Sequence, residues 1–251
     1  MARRLQEAGA LQKRIRAIEV RDARILNSVS AQDLECALAG RQLSSAIRHG
    51  KRLFLQIDSG LWLALHLGLT GWPAILEKGD AEPRYTRLRI DFEGGAALAL
   101  DDLRIFGEVG LTESPQAFLS QRGIGPDALQ MEREAFLAAM SGRKGKIKPA
   151  LLDQGLIAGL GNLYADEALF QSGICPQARC LKQERLEGLF CTIQEVLRTS
   201  LACNADFEKL PDSYLLPHRH PDGTCPRDGA ALKKIKIAGR TSYYCPVHQK
   251  E

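Results

Sequence analysis

The hydrophobic period of the chain changes after a stretch at residues 112–130, and that change limits the folds open to it. Before it, short apolar runs alternate with glycine turns. Residues 52–58 (Arg-Leu-Phe-Leu-Gln-Ile-Asp) lead through Ser59-Gly60 into Leu-Trp-Leu-Ala-Leu-His-Leu at 61–67, a hairpin pattern. Residues 85–92 and 96–100 form another around Glu93-Gly94-Gly95. Even strand spacing with glycine turns favours an antiparallel sandwich over a parallel sheet. Residues 27–38 break the pattern and are expected as a helix or capped loop, and residues 2–11 as a short helix with a basic face. Beyond the change, helices are predicted at 133–140, 149–152, 162–171 and 183–201. Gly159 and Gly161 precede the third of these and Gly173 follows it, a clean start and stop. Residues 204–224, with Pro211, Pro217 and Pro221, read as irregular.

The expected fold is therefore α+β. An N-terminal antiparallel β-sandwich with a helix occupies 1–112, and a linker holding Pro115, Gly123, Gly125 and Pro126 occupies 113–130. A helical domain built on a helix, two turns and a second helix follows at 131–214, then a C-terminal β-hairpin resembling a zinc finger at 215–251. A chain of 251 residues can bury the cores of two modest domains.

That closing hairpin holds Cys225-Pro-Arg-Asp228 and Cys245-Pro-Val-His248, the paired spacing of a zinc finger. Two corners are Asp and His rather than Cys, and both are valid zinc ligands. The site reads either as one zinc ion held by Cys225, Asp228, Cys245 and His248, or as a metal-free hairpin whose two cysteines simply pack. His218 and His220 are candidates to replace Asp228. Lys233, Lys234, Lys236 and Arg240 lie between the ligand pairs, and a metal-clipped cationic hairpin suits nucleic acid.

The formal charge of +4 only permits such a partner, but its distribution says more. Cations cluster at Arg3-Arg4, 48–52, 143–148 and 233–240. Cys36, Cys175, Cys180, Cys191 and Cys203 show no pairing pattern and read as reduced thiols of a cytosolic, cytoplasmic protein. No signal peptide is visible, and the apolar run 61–69 is too short to span a membrane.

The strongest internal motif runs from Lys146 to Phe170. It places backbone N–H groups and Asn162 at a helix start, where a phosphate can bind, with Lys148 as an added charge. The glycines could equally serve close helix packing. Likewise His66 reads as a packed, hydrogen-bonded histidine, Lys51 as a solvated cation, Glu167 as an orienting group and Asp153 as a cap.

This stretch resembles the helix–two-turn–helix of the formamidopyrimidine-DNA glycosylase and endonuclease VIII family, and the resemblance extends over almost the whole chain. Arg3-Arg4-Leu5 resembles the end of the family's first helix. Arg48-His-Gly-Lys-Arg-Leu-Phe-Leu resembles a strand carrying a DNA-contacting lysine, here Lys51. His66-Leu-Gly-Leu-Thr-Gly71 and Asp102-Leu-Arg-Ile-Phe-Gly107 resemble the loops that fill the gap left by an everted base. Gly239-Arg-Thr-Ser-Tyr-Tyr-Cys245 resembles the hairpin whose arginine grips phosphate.

The resemblance implies a monomer acting on double-stranded DNA that contains a damaged base or an abasic site. The nucleotide would be flipped into a pocket between the domains, and an amine would attack the sugar C1′ to form a Schiff base before the backbone is cut. Leu69, Arg104 and Phe106 would be the wedge, and Lys51, His66, Lys148, Asn162 and Arg240 further DNA contacts. The family's N-terminal Pro-Glu pair is absent from this chain, where Met1-Ala2 matches a position near the end of the first helix. Two readings follow: a glycosylase/lyase whose start lies upstream, or an inactive relative that recognises lesions or abasic sites. Lys51 is the spare lysine nucleophile. Ile105 stands where a second wedge arginine is usual, and Arg84-Tyr-Thr-Arg87 departs from the usual phosphate-contacting pattern. A short segment at 203–217 leaves oxidised pyrimidines or other lesions open as substrates.

Overall fold

The computed structural model describes residues 11–68 and 71–250. The helix expected at 2–11 and the wedge candidate Leu69 lie outside the described residues, apart from Leu11. The chain forms two compact units, Met1–Gly123 and Ile124–Glu251.

In the first unit the elements run β1 (Ile15–Val20), α1 (Ala31–Leu38), β2 (Leu43–His49), β3 (Arg52–Ile57), β4 (Trp62–His66), β5 (Trp72–Leu76), β6 (Thr86–Phe92), β7 (Ala97–Asp101), β8 (Glu108–Thr112) and α2 (Pro115–Gln121). Two four-stranded sheets result, ordered β1-β6-β7-β5 and β2-β3-β4-β8, with every pairing antiparallel. Alternation drives the burial. In β6, Thr86, Leu88, Ile90 and Phe92 are buried while Arg87, Arg89 and Asp91 are not. Leu53, Leu55, Leu63 and Leu65 join Leu88, Ile90 and Phe92 in one core, each such side chain contributing about 1.5–3 kcal/mol. Helix α1 starts at a reciprocal cap: the Asp33 N–H donates to Ser30 Oγ at 3.0 Å and the Ser30 N–H to Asp33 Oδ2 at 3.3 Å.

The stretch expected as a linker contains a helix. Ser114 caps α2 and Pro115 occupies its first turn. A proline there reads as a breaker by composition, yet its fixed φ suits a helix start. The strand β8, just before, closes the second sheet against β4.

The second unit holds α3 (Arg133–Met140), α4 (Ile147–Leu152), α5 (Asn162–Gln171), α6 (Gln183–Ala202), β9 (Lys233–Ile237) and β10 (Arg240–Tyr244). Helix α5 is its axis, with every residue from Ala165 to Phe170 buried. The 20-residue α6 lays Leu186, Leu189, Ile193 and Val196 inward. Between α4 and α5 the chain makes two tight turns held by Gln154. Its Nε2 donates to the carbonyls of Leu152 and Leu160 at 2.9 and 3.0 Å, and its Oε1 accepts from the Gly159 N–H at 3.0 Å. Gly125 lies against the Gly155 carbonyl so closely that any Cβ would collide with it. The β9–β10 turn uses Ala238 and Gly239 at φ 47° and 73°, the left-handed pair of a tight hairpin.

Candidate nucleic-acid interface

The first residue of α5, Asn162, is tied to the hairpin. Its Nδ2 donates to the Thr241 carbonyl at 3.0 Å, and its buried Oδ1 has no hydrogen-bond partner among the described residues. An amide nitrogen carries two hydrogens. The second hydrogen, with the first-turn N–H groups that no helix satisfies internally, can face an anion. Arg240 stands exposed at the hairpin turn, one residue before that shared carbonyl.

Lys148 departs from expectation. It is wholly buried, with Nζ 2.6 Å from Asp166 Oδ1 and hydrogen-bonded to Ser242 Oγ. So placed, it does not reach a phosphate. Its place in α4 follows helix spacing: Ile147, Lys148 and Leu151 are the buried residues of that short helix. Burial pushes its pKa down and Asp166 opposes the shift. Arg219 completes the cluster, giving two hydrogen bonds to Asp166 Oδ2 at 2.9 and 2.8 Å and a third to the Thr241 carbonyl at 2.9 Å. Its guanidinium lies 5.2 Å from the Tyr243 ring centroid. Two cations thus share one carboxylate beneath Asn162 and Arg240. Asp166 lies inside the 146–170 motif without being singled out by it, and Arg219 lies outside every motif. The signal available is that Asp166 follows Asn162 by four residues and so shares its helix face.

Glu167 is the orienting group expected of it. Its two oxygens accept the backbone N–H groups of Leu215 and Leu216 at 3.1 and 2.8 Å, and Gln171 Nε2 at 2.7 Å. Burial raises its pKa against these donors. Asp153 caps α4 and accepts the Gly155 N–H at 2.9 Å.

In the first unit two loops meet. His66 ends β4, opposite Arg52, and its Nδ1 accepts the Gly68 N–H at 3.1 Å. Burial is the main cause holding its pKa down, with Arg52 adding to it. Gly68 has no room for a side chain because the Phe106 backbone abuts it. Residues 102–107 turn around the buried Asp102, whose carboxylate accepts the N–H groups of Gly107 at 2.7 Å and Arg104 at 3.2 Å. Arg87 Nε braces the loop from behind, donating to the Asp102 carbonyl at 2.8 Å. Arg104 and Phe106 are exposed while Ile105, at φ 57°, packs on the core. An apolar residue at that position is therefore an inward anchor. Lys51 is exposed on the β2–β3 turn.

The metal candidates divide. One ligand atom each from Cys225, Asp228 and Cys245 lies within 4.8 Å of the others, a cluster able to coordinate an ion. Cys225 and Cys245 are buried, and burial pushes the Cys225 thiol up to about 11. Cys245 Sγ donates to Asp228 Oδ2 at 3.3 Å. His248 stands outside this cluster, because its Nε2 bonds the Phe170 carbonyl at 2.8 Å and its ring packs edge-on against Phe170. His218 and His220 are not part of it either, and Asp228 keeps its corner.

Known proteins share this fold. Residues 1–109 match the family model of the formamidopyrimidine-DNA glycosylase N-terminal domain, and residues 123–210 that of its H2TH domain. A formamidopyrimidine-DNA glycosylase of Arabidopsis thaliana is 33% identical over 270 residues, covering 99% of this chain and 69% of the relative. One from Syntrophomonas wolfei is 35% identical over 246 residues, covering 92% of this chain and 91% of the relative. The Lactococcus lactis enzyme non-covalently bound to DNA with an AP site superimposes with a TM-score of 0.88 at 27% identity, covering 100% of this chain and 96% of that one. MutM in complex with DNA containing carbocyclic 8-oxo-G gives 0.87 at 27% identity, with 100% and 97% covered.

Proposed function

Because the chain belongs to the formamidopyrimidine-DNA glycosylase family, we propose that it is a base-excision-repair DNA glycosylase/AP lyase-like protein for oxidatively damaged DNA. The family acts on oxidised or abasic DNA, and the matched structures hold lesion-bearing duplexes. The observation that carries the reading is the Asn162–Thr241 hydrogen bond, 3.0 Å long. It sets the start of α5 beside Arg240, so helix N–H groups and a guanidinium can grip one phosphate region.

In this reading Asn162 and Arg240 hold the backbone, and Lys51 and His66 approach the strand near the lesion. Leu69, Arg104 and Phe106 fill the stack that the flipped nucleotide leaves. Lys148 acts from beneath by fixing Asn162's neighbours rather than by contact. An amine then attacks C1′, displaces the base and leaves a Schiff base that elimination resolves. Cys225, Asp228 and Cys245 suit zinc, which when bound would clip the hairpin shut without entering the reaction. The protein works as a monomer. No helix among the described residues is long and apolar enough to cross a membrane.

One observation favours a second reading, in which the protein senses lesions or abasic sites without cutting. Lys148, held by Asp166 and wholly buried, offers no amine to the sugar, which leaves among the described residues the surface lysine Lys51 as the spare nucleophile. Borohydride trapping on an abasic-site duplex separates the two. A covalent adduct supports the glycosylase/lyase reading. Binding without an adduct supports the sensor, and absence of DNA binding removes both.

A further inference from the structure

Three large apolar side chains of the first unit stand exposed at the end of one strand pair and on the loop that follows it: Trp72, Leu103 and Phe106, at 50%, 51% and 55%. Phe106 belongs to the wedge already described. Trp72 does not, and no motif marks it. It opens β5, the outer strand of its sheet, and pairs in register with Asp101, the residue just before the 102–107 loop. On its other side the Gly71 N–H donates to the Leu67 carbonyl at 2.8 Å. Gly68, which follows Leu67, abuts Phe106. Strand register and that hydrogen bond therefore bring Trp72 to the rim on which Leu103 and Phe106 stand.

We infer that Trp72 is a further positioning residue of the wedge, stacking its indole on a nucleobase beside the lesion. The inference rests on the DNA reading above. Exposed apolar groups gathered on one rim mark a binding surface, and the company they keep names the partner. Arg104 lies in the same loop, Arg87 braces it, and Arg84 and Arg87 both lie over Tyr85. Aromatic faces among guanidinium groups suit bases strung on phosphates better than an apolar protein face. The other tryptophan, Trp62, is half-buried within β4 and flanked in register by Gln56 and Thr112, so it does not share the rim.

The test uses the full chain and two duplexes, one with a tetrahydrofuran abasic analogue and one undamaged. Anisotropy of labelled DNA reports binding. With Trp62→Phe, indole emission reports Trp72 alone. We expect emission to be quenched along the same curve as the anisotropy, more strongly with the abasic duplex. In the otherwise unaltered chain, Trp72→Ala should weaken abasic-duplex binding about tenfold, the scale of one lost base–aromatic stack, and Trp72→Phe should restore most of it. Binding with unchanged emission, or a Trp72→Ala affinity within about twofold of the unaltered chain, overturns the inference and leaves the DNA reading intact. If neither duplex binds, the DNA reading fails and the inference with it.

Discussion

Lys148 and Asp166 form an ion pair 2.6 Å long in which neither side chain is exposed to solvent. The pair links α4 to α5, and through Ser242 it links both to β10. It explains how a short hairpin with few buried side chains of its own is held against the helices.

Removing Lys148 tests that role. Lys148→Met should destabilise the second unit by about 3 kcal/mol, near the low end for breaking a buried pair, since Arg219 still neutralises Asp166. Urea unfolding measures it. A change within experimental error, together with a large loss of DNA affinity, would instead return Lys148 to the phosphate-contacting group.

The exposed contacts should behave differently. Arg240→Ala should weaken binding to all duplexes alike and lower the salt-dependence slope by about one, with little effect on stability. Asn162→Ala should also weaken binding without regard to sequence, because it removes the amide beside the helix start. Titrations at several salt concentrations read both effects, and an unchanged slope for Arg240→Ala would argue against a phosphate contact.

Metal content separates the two candidate ligands. Purified protein should carry roughly one zinc ion per chain. Asp228→Ala should lower the retained zinc and His248→Ala should not, because His248 is occupied with the Phe170 carbonyl. Elemental analysis of the three proteins decides this, and the opposite order would restore His248 as a ligand.

His66 makes a pH-dependent contribution. Its pKa is depressed below 6.5 by burial, with Arg52 and Lys51 lowering it further and Glu108 opposing them. The unfolded chain takes up this proton first as pH falls. Stability from this site is therefore complete above about 6.5 and lost as pH drops toward the folded value. Protonation also turns Nδ1 from an acceptor into a donor, which breaks its bond to the Gly68 N–H. Thermal melts between pH 7 and 5 should show a loss in the native protein that is smaller in His66→Gln. Parallel curves would contradict it.

Periodic features were readable from the sequence because each residue reports its own face. Alternation in 86–92 and the glycines around 162–171 gave strands and helices at nearly their observed limits. The helix at Pro115–Gln121 was hidden because a proline ends helices and starts them, and only the Ser114 cap distinguishes the cases. Exposure was legible where side chains stand alone at the surface, as with Arg240 and Phe106. It was misread at Lys148, since a lysine's burial depends on a carboxylate 18 residues away that no local pattern announces. His248 was misread for the same reason: ligand spacing fits it, but the Phe170 carbonyl competes.

A protein that recognises damaged DNA must tell a lesion duplex from an intact one. The most direct measurement is equilibrium binding to a duplex with a tetrahydrofuran abasic analogue against the matched undamaged duplex at one physiological salt concentration. Binding to the lesion duplex is expected to be tighter by about tenfold or more, the scale of the unpairing and unstacking energy that an abasic site no longer costs. Equal affinity for both duplexes, or no binding to either, would contradict it.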